Sequence, residues 1–467
     1  MPARFERTLV LRSSKAPALV AAALVAGVLG TVPVAVTAVA SFAGSPAESL
    51  RGSGLDVVST QPGVRTAVVR GTPSQLLALA RRPGVRGLAP DATLRPNGSD
   101  SDAPGSVLAW ERVGGAAGLA GAGAGVRVAL VDTGVADTPA LTRASGRLVD
   151  AYNSSRERTF ADGYGHGTFM AGIVAGGPVA GTGDRGLGVA PGATVLSVKV
   201  ADSSGETSLS RVVAGLDWVA QNASRVDVAS FAFSRSRPGD GYGADPLTDA
   251  VERVRDAGVA IVVSAGNTPG EVGDPGFDPR VITVGAADTR TPSVSVAPFS
   301  GSAVVAGIRK PDLVGSGVGV LSVLPPSSAI AQANPQSRQS ELLWRGSGTS
   351  EATAQAAGAA ALFLARHPSA RAADVKASLR GAAKPLNDAT AGAGLLRDAT
   401  RLVPGTDPSG APSAGSGEVG FDANSWSANS WSANSWSANS WSANSWSANS
   451  WSANSWSANS WSASSWS

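Results

Sequence analysis

Val128-Ala129-Leu130-Val131-Asp132-Thr133-Gly134 begins as an unbroken apolar run and ends on a carboxylate and a turn. Four apolar residues without alternation suit a strand covered on both faces. In open α/β sheets ligands sit beyond the carboxyl ends of the strands, which is where Asp132 would stand. Alone this is weak, because Asp also ends many strands as an ordinary turn residue. The pattern recurs along the chain, with strands expected over 126–131, 194–200, 226–231, 259–263 and 281–284. Between them, helices are expected over 208–222, 246–257 and 349–366. Val212, Val213, Leu216 and Val219 share one face of the first, and in the second Asp245 caps while Pro246 suits the first turn. Strands alternating with helices read as an α/β fold, a mostly parallel sheet with helices on both faces.

Composition narrows the chemistry. The chain has 467 residues, 43% of them apolar, enough for a large domain and smaller pieces. Its formal net charge is +3 and its Lys and Arg are dispersed, which argues against a nucleic-acid partner. There is no cysteine, so thiol nucleophiles, disulfides and thiolate metal sites are excluded. The only histidines are His166 and His367, and any imidazole chemistry must use one of them.

The ends differ from the middle. Arg4, Arg7, Arg12 and Lys15 precede an uncharged run from Ala16 to Ala47, in which Ala38-Val39-Ala40 offers a small-residue cleavage pattern. This reads as a secretory leader over 1–40, with a retained anchor as the alternative, and implies a secreted or cell-surface protein. The apolar run 352–365 is too short to span a bilayer and reads as a core helix. Residues 51–96 look like a small α/β unit: a strand at 65–70, a helix over 75–82 opened by Thr72-Pro73-Ser74, and a strand at 85–89. Asn97 to Ser106 is a polar, Gly- and Pro-containing linker. After a second linker at 403–422, the unit Ala-Asn-Ser-Trp-Ser repeats over 423–467, with Trp426 to Trp466 spaced by five. That composition does not build a core of its own. It reads as a flexible extension, or as a tail whose exposed aromatics stack on cell-surface polysaccharide.

Two further segments carry chemistry. Gly165-His166-Gly167-Thr168 opens a small-residue helix, where flanking glycines let the imidazole approach other backbone closely. His367, in Arg366-His367-Pro368, reads as a surface or satisfied residue. Gly346-Ser347-Gly348-Thr349-Ser350-Glu351-Ala352-Thr353 delivers a serine to the start of an alanine-rich helix, whose orphan amides favour developing negative charge. A plain helix cap explains Ser350 but not the glycine loop. The other large serine-hydrolase elbow needs Gly two residues past the serine, where this chain has Ala352.

Together these segments resemble the subtilisin-like serine proteases, peptidase family S8, over nearly all of 107–402. The order Asp132, His166, Ser350 matches the acid, base, nucleophile order of that family. Gly188 to Ala193 leading into Ser197 to Val200 and the turn Gly392 to Leu396 are similar to further family segments. The resemblance implies a serine endopeptidase acting by acyl transfer on protein or peptide substrates, with no cofactor required. It implies that Asn267, in Ser264-Ala265-Gly266-Asn267, serves the oxyanion hole, and that Ser264, Ala265 and Gly266 line the pocket before the cut. Asn267 weighs against the acid-acting relatives, which carry Asp there. Ser230, Phe231 and Ala232 are expected to form the edge that pairs with substrate, with Ser204, Gly205 and Glu206 opposite. The small unit, taken as 48–104, is similar to the family's propeptide, which assists folding and inhibits until cleaved. Family members often hold structural calcium, yet no acidic loop here nominates a site, and the metal set is read as empty.

The chain also departs from the family. Glu351 and Gln355 stand where Met and Pro are usual, and Phe231 to Phe233 stand near the usual glycines. Glu351 is expected either to face solvent or to raise the His166 pKa, and the phenylalanines to narrow the cleft. The competing reading is a catalytically silent, protease-shaped binding protein working through its tail. The complete triad and Asn267 argue against it.

Overall fold

The structure, a computed structural model, describes residues 35–96, 105–234, 245–305 and 307–398. Residues 97–104 of the expected linker, both sequence extremes and the Trp repeat lie outside the described residues. The described chain opens with a strand where a leader was expected. β1 (Val36–Phe42) is an inner strand of a four-stranded antiparallel sheet. The others are β2 (Asp56–Gln61), β3 (Thr66–Gly71) and β4 (Val85–Pro90), in the order β2-β3-β1-β4. Ala38, Val39 and Ala40 are fully buried, each paired to β3 and to β4. A cut after residue 40 would remove the middle of this sheet. The expected boundaries are therefore corrected: the small unit includes Val36 and does not begin at 48.

Its residues are small because both faces of β1 are covered. Ala38, Ala40 and Phe42 pack with Leu50, Leu76 and Leu79 from α1 (Pro46–Leu50) and α2 (Pro73–Ala80). Val39, on the opposite face, joins the core of the larger domain. Thr72 starts α2 with a reciprocal cap: its backbone N–H donates to Gln75 Oε1 at 2.8 Å, and its hydroxyl accepts from the Gln75 N–H.

After β5 (Thr93–Pro96), the larger domain is built on β6 (Arg127–Asp132), β7 (Leu148–Asn153) and β8 (Thr194–Lys199). The short β9 (Thr207–Ser208) precedes β10 (Val228–Phe231) and β11 (Phe233–Ser234). β12 (Ala260–Ser264), β13 (Ile282–Asp288) and β14 (Ser295–Val296) follow. A hairpin of β15 (Ala303–Val305) and β16 (Ile308–Lys310) leads to β17 (Leu313–Ser316), β18 (Val320–Val323) and β19 (Leu343–Gly346). The main sheet runs β14-β13-β12-β10-β6-β8-β7, with β17 also on β13; every pairing is parallel except that of β14.

Strand alternation sorts the core into two layers. Val128 and Leu130 of β6 pack with α3 (His166–Ala175) and α7 (Thr349–Arg366). Ala129 and Val131 face α4 (Leu209–Gln221) and α5 (Pro246–Asp256). The short α6 (Ala329–Ala333) follows β18, and α8 (Ala372–Ala382) places Val375 and Leu379 in the layer of α7. Fully covered faces explain the unbroken apolar strands, and the α/β expectation holds. Among the described residues no helix is long and apolar enough to cross a membrane.

The small unit rests on α4 and α5 through carboxylates. Asp217 accepts the Val64 N–H at 3.0 Å, Asp249 accepts the Ser41 hydroxyl at 2.5 Å and pairs with Arg86 at 2.9 Å, and Arg253 donates to the Phe42 carbonyl. In return Asp91 caps α4, accepting from the Ser210 N–H and hydroxyl at 2.7 and 2.8 Å.

Candidate active site

Asp132 ends β6, the strand lying between β10 and β8, and is wholly buried. Its Oδ1 accepts the Thr133 N–H at 2.7 Å. His166 opens α3, and its Nδ1 lies 2.8 and 2.9 Å from the two Asp132 oxygens. Gly167 permits the approach, since a Cβ there would stand 2.0 Å from the Gly134 carbonyl oxygen. The imidazole is 4% exposed, and its Nε2 takes no hydrogen bond among the described residues. Burial pushes its pKa down, but the Asp132 charge and hydrogen bond, then Glu351 and Asp162, outweigh this and leave it raised.

Asp162 was not foreseen. It accepts from the Thr133 hydroxyl (2.8 Å), the Gly165 N–H (2.7 Å), the Thr168 N–H (2.7 Å) and the Thr168 hydroxyl (2.6 Å). One carboxylate thus ties the turn after β6 to the start of α3, fixing the two segments that bear Asp132 and His166. Burial pushes the Asp162 pKa up against these hydrogen bonds. The only sequence signal was an acidic residue four positions before the histidine.

Ser350 lies in the first turn of α7 and is fully buried. The preceding residue, Thr349, donates its N–H (3.0 Å) and its hydroxyl (2.9 Å) to Asn267 Oδ1. The carbonyl end of the Asn267 amide is therefore fixed at the helix terminus beside Ser350, which orients the donor end as well. Asp132 and His166 touch directly, Asn267 is anchored one residue before Ser350, and the Glu351 charge acts on His166. Gln355, in place of the family's proline, accepts the Ser316 N–H at 2.8 Å and donates to the Ala109 carbonyl at 2.5 Å.

The residues expected to bind substrate are placed differently. Ser230 and Phe231 lie inside the main sheet, paired on one side to β6 and on the other to β12, so they offer no free edge. That expectation is corrected. Ala232 links β10 to β11, and the edge that takes an extended segment is Phe233–Ser234. Phe231 and Phe233 are buried in the core with Leu209 and Leu247, 5.8 Å apart between ring centres, so they do not obstruct the cleft. Ser204 and Gly205 form the Asp202–Glu206 turn, and the opposing edge is Thr207–Ser208. Ser264 ends β12, Ala265 bonds to Val284 and Gly273, and the Gly266 carbonyl accepts the Gly301 N–H, a pinned loop that leads into Asn267.

Between those two edges lies the chain's own β5. It pairs antiparallel with β11 (Pro96 with Phe233, Arg95 with Ser234) and with β9 (Thr93 with Ser208, Leu94 with Thr207). Leu94 is buried with Leu209 and Phe233, while Arg95 forms an ion pair with Glu206. Among the described residues no group of three or more His, Cys, Asp or Glu is arranged to hold a metal ion.

Comparison with known proteins bears on this geometry. Residues 123–399 match the Subtilase family, Peptidase_S8. Serine protease AprX of Bacillus subtilis (strain 168) is 35% identical over 301 residues, 61% of this chain and 67% of that protein. Subtilisin DY of Bacillus licheniformis is 32% identical over 277 residues, 57% of this chain and 86% of that protein. The crystal structure of fervidolysin from Fervidobacterium pennivorans superposes with a TM-score of 0.59 at 22% identity. That match covers 78% of this chain and 60% of the fervidolysin chain, and it bears on the fold alone.

Proposed function

The chain belongs to the subtilase family of subtilisin-like serine proteases, and from that premise we propose the roles of its residues and the state described above. It is an exported serine endopeptidase made as a self-inhibited, self-processed zymogen. Ser350 attacks the substrate carbonyl while His166 takes its proton through Nε2 and then delivers it to the leaving amine. Asp132 holds Nδ1–H and stabilises the imidazolium. The Asn267 amide and the Ser350 N–H, at the positive end of α7, receive the oxyanion. Asn267→Ala is expected to lower kcat by about 10²–10³-fold with KM little changed, read from initial rates on a peptide ester. A loss under about fivefold would remove Asn267 from the oxyanion hole.

The observation that carries the zymogen reading is β5, a segment of the chain occupying both substrate edges at once. The small unit, starting at or before Val36, is then the propeptide. The maturation cut falls between Pro96 and Val107, after β5 and before the first strand of the larger domain. An export leader is confined to the residues before the small sheet. Labelling the purified protein with a serine-directed phosphonate and mapping the adduct tests the mechanism. Modification at Ser350 supports it, and absence of a Ser350 adduct in processed protein counts against it.

β5 also indicates what the cleft accepts. Leu94 fills an apolar pocket and Arg95 meets Glu206, so substrates with an apolar and then a basic residue at these positions are preferred. The Arg95–Glu206 pair is exposed, and such pairs contribute about 0.2–1 kcal/mol. Replacing Arg by Glu at that peptide position is expected to raise KM by about two- to fivefold at low salt. Glu206→Gln should erase the difference, and an unchanged ratio in that variant would refute the contact.

A further inference from the structure

Glu351 follows Ser350 directly and is 4% exposed, so the expectation that it faces solvent fails. Its carboxyl lies beside Gly346 of β19, and so does the ring of Phe169. A Cβ on Gly346 would stand 2.6 Å from Glu351 Oε1 and 2.9 Å from that ring. Phe169 is one helical turn beyond His166 on α3. The carboxyl accepts a hydrogen bond from its own backbone N–H, whereas Oε2 is buried with no hydrogen-bond partner among the described residues. A carboxylate held this way is costly to keep charged unless a positive group stands near.

The charges that act on Glu351 are those of His166, on α3, and Asp132, at the end of β6. Asp162 acts on His166 from the loop before α3, and β19 brings Arg345, the residue before Gly346. Burial pushes the Glu351 pKa up to about 7 despite the pull of His166, into the range where an imidazole titrates.

We propose that Glu351 is a positioning residue for the general base: its carboxyl, buried directly after Ser350 in the first turn of α7, sets the pH range in which His166 is free to take the Ser350 proton. The inference rests on His166 being that base. Ionised Glu351 adds a second negative charge favouring the imidazolium, so His166 keeps its proton to higher pH than beside a neutral side chain. Because the two groups titrate together, the apparent values belong to the pair. The sign follows: His166 is idle below its raised pKa and available above it, so removing the Glu351 charge moves the acid limb of the rate profile to lower pH.

With only two histidines in the chain, the effect can be read directly. Full-length Ser350→Ala protein, labelled with ¹⁵N-histidine, is titrated by NMR with and without Glu351→Gln, and His367→Gln assigns the signals. The His166 midpoint is expected to fall in Glu351→Gln and in Glu351→Met while His367 stays fixed, and to be partly restored by Glu351→Asp. In protein with intact Ser350, the ratio of kcat/KM at pH 6 to that at pH 9 is expected to rise by about threefold or more in Glu351→Gln. A midpoint unchanged in both neutral variants overturns the proposal, as does a loss of kcat/KM that is uniform across pH. The titration does not require Ser350 to be the nucleophile. An absent phosphonate adduct therefore sinks the protease mechanism, whereas a fixed His166 midpoint with the adduct present sinks this inference alone.

Discussion

Ser350→Ala is expected to lower kcat/KM by about 10⁴–10⁶-fold and to leave the full chain uncut between Pro96 and Val107. The substitution isolates chemistry from folding. It removes one oxygen from a fully buried residue in the first turn of a helix whose neighbours Ala352, Ala354, Ala356 and Ala357 are already alanine. Alanine is the best helix former, so α7 gains propensity while losing the hydroxyl. What remains is the oxyanion contribution, His166 without a proton to take, and the cleft. Adding wild-type enzyme in trans distinguishes a chain that cannot cut from one that cannot be cut. Uncut variant that is then processed by wild type fits the mechanism. Variant that matures alone at near the wild-type rate refutes self-processing through Ser350. The same variant holds β5 in the cleft, which makes it the form in which the Arg95–Glu206 contact is best measured.

The residues that make this site legible in the sequence are those whose neighbours along the chain also fix their surroundings. β6 announces itself because both faces are covered, and α7 because a glycine loop and a run of alanines leave it no other place than the core. The capped helix starts at Thr72 and Asp245 were legible for the same reason, since a cap bonds only a few residues ahead. β1 was misread because Ala38-Val39-Ala40 satisfies two demands that look alike in sequence. Small apolar residues suit a leader's cleavage site, and they equally suit an inner strand with a layer on each face. The edges that β5 pairs with lie a few residues from those expected because β9 and β11 are two residues long and are defined by that pairing, not by any periodicity. Asp162 escaped notice because its hydrogen bonds reach across a turn to residues on two elements. Glu351 was seen as a departure, but whether its carboxyl met water or was buried depended on Gly346, which arrives from β19.

Asp132→Asn is the second large effect: an expected fall of about 10⁴-fold in kcat near neutral pH, with KM nearly unchanged and the thermal transition preserved. The amide matches the carboxylate in shape, so its carbonyl oxygen can still accept the Thr133 N–H. The other position then carries an NH₂ facing His166 Nδ1, where the carboxylate oxygens now sit 2.8 and 2.9 Å away. An amide donor there favours the tautomer with the proton on Nε2, which cannot accept the Ser350 proton. Asp162 cannot take over, because its two oxygens are already bonded to Thr133, Gly165 and Thr168. Glu351 cannot do so either while its carboxyl is held beside Gly346. The orienting role therefore rests on one residue, and single-turnover acylation rates should show the whole loss in the acylation step. Activity within about tenfold of wild type would mean that the imidazole is held in its working tautomer by a group other than Asp132.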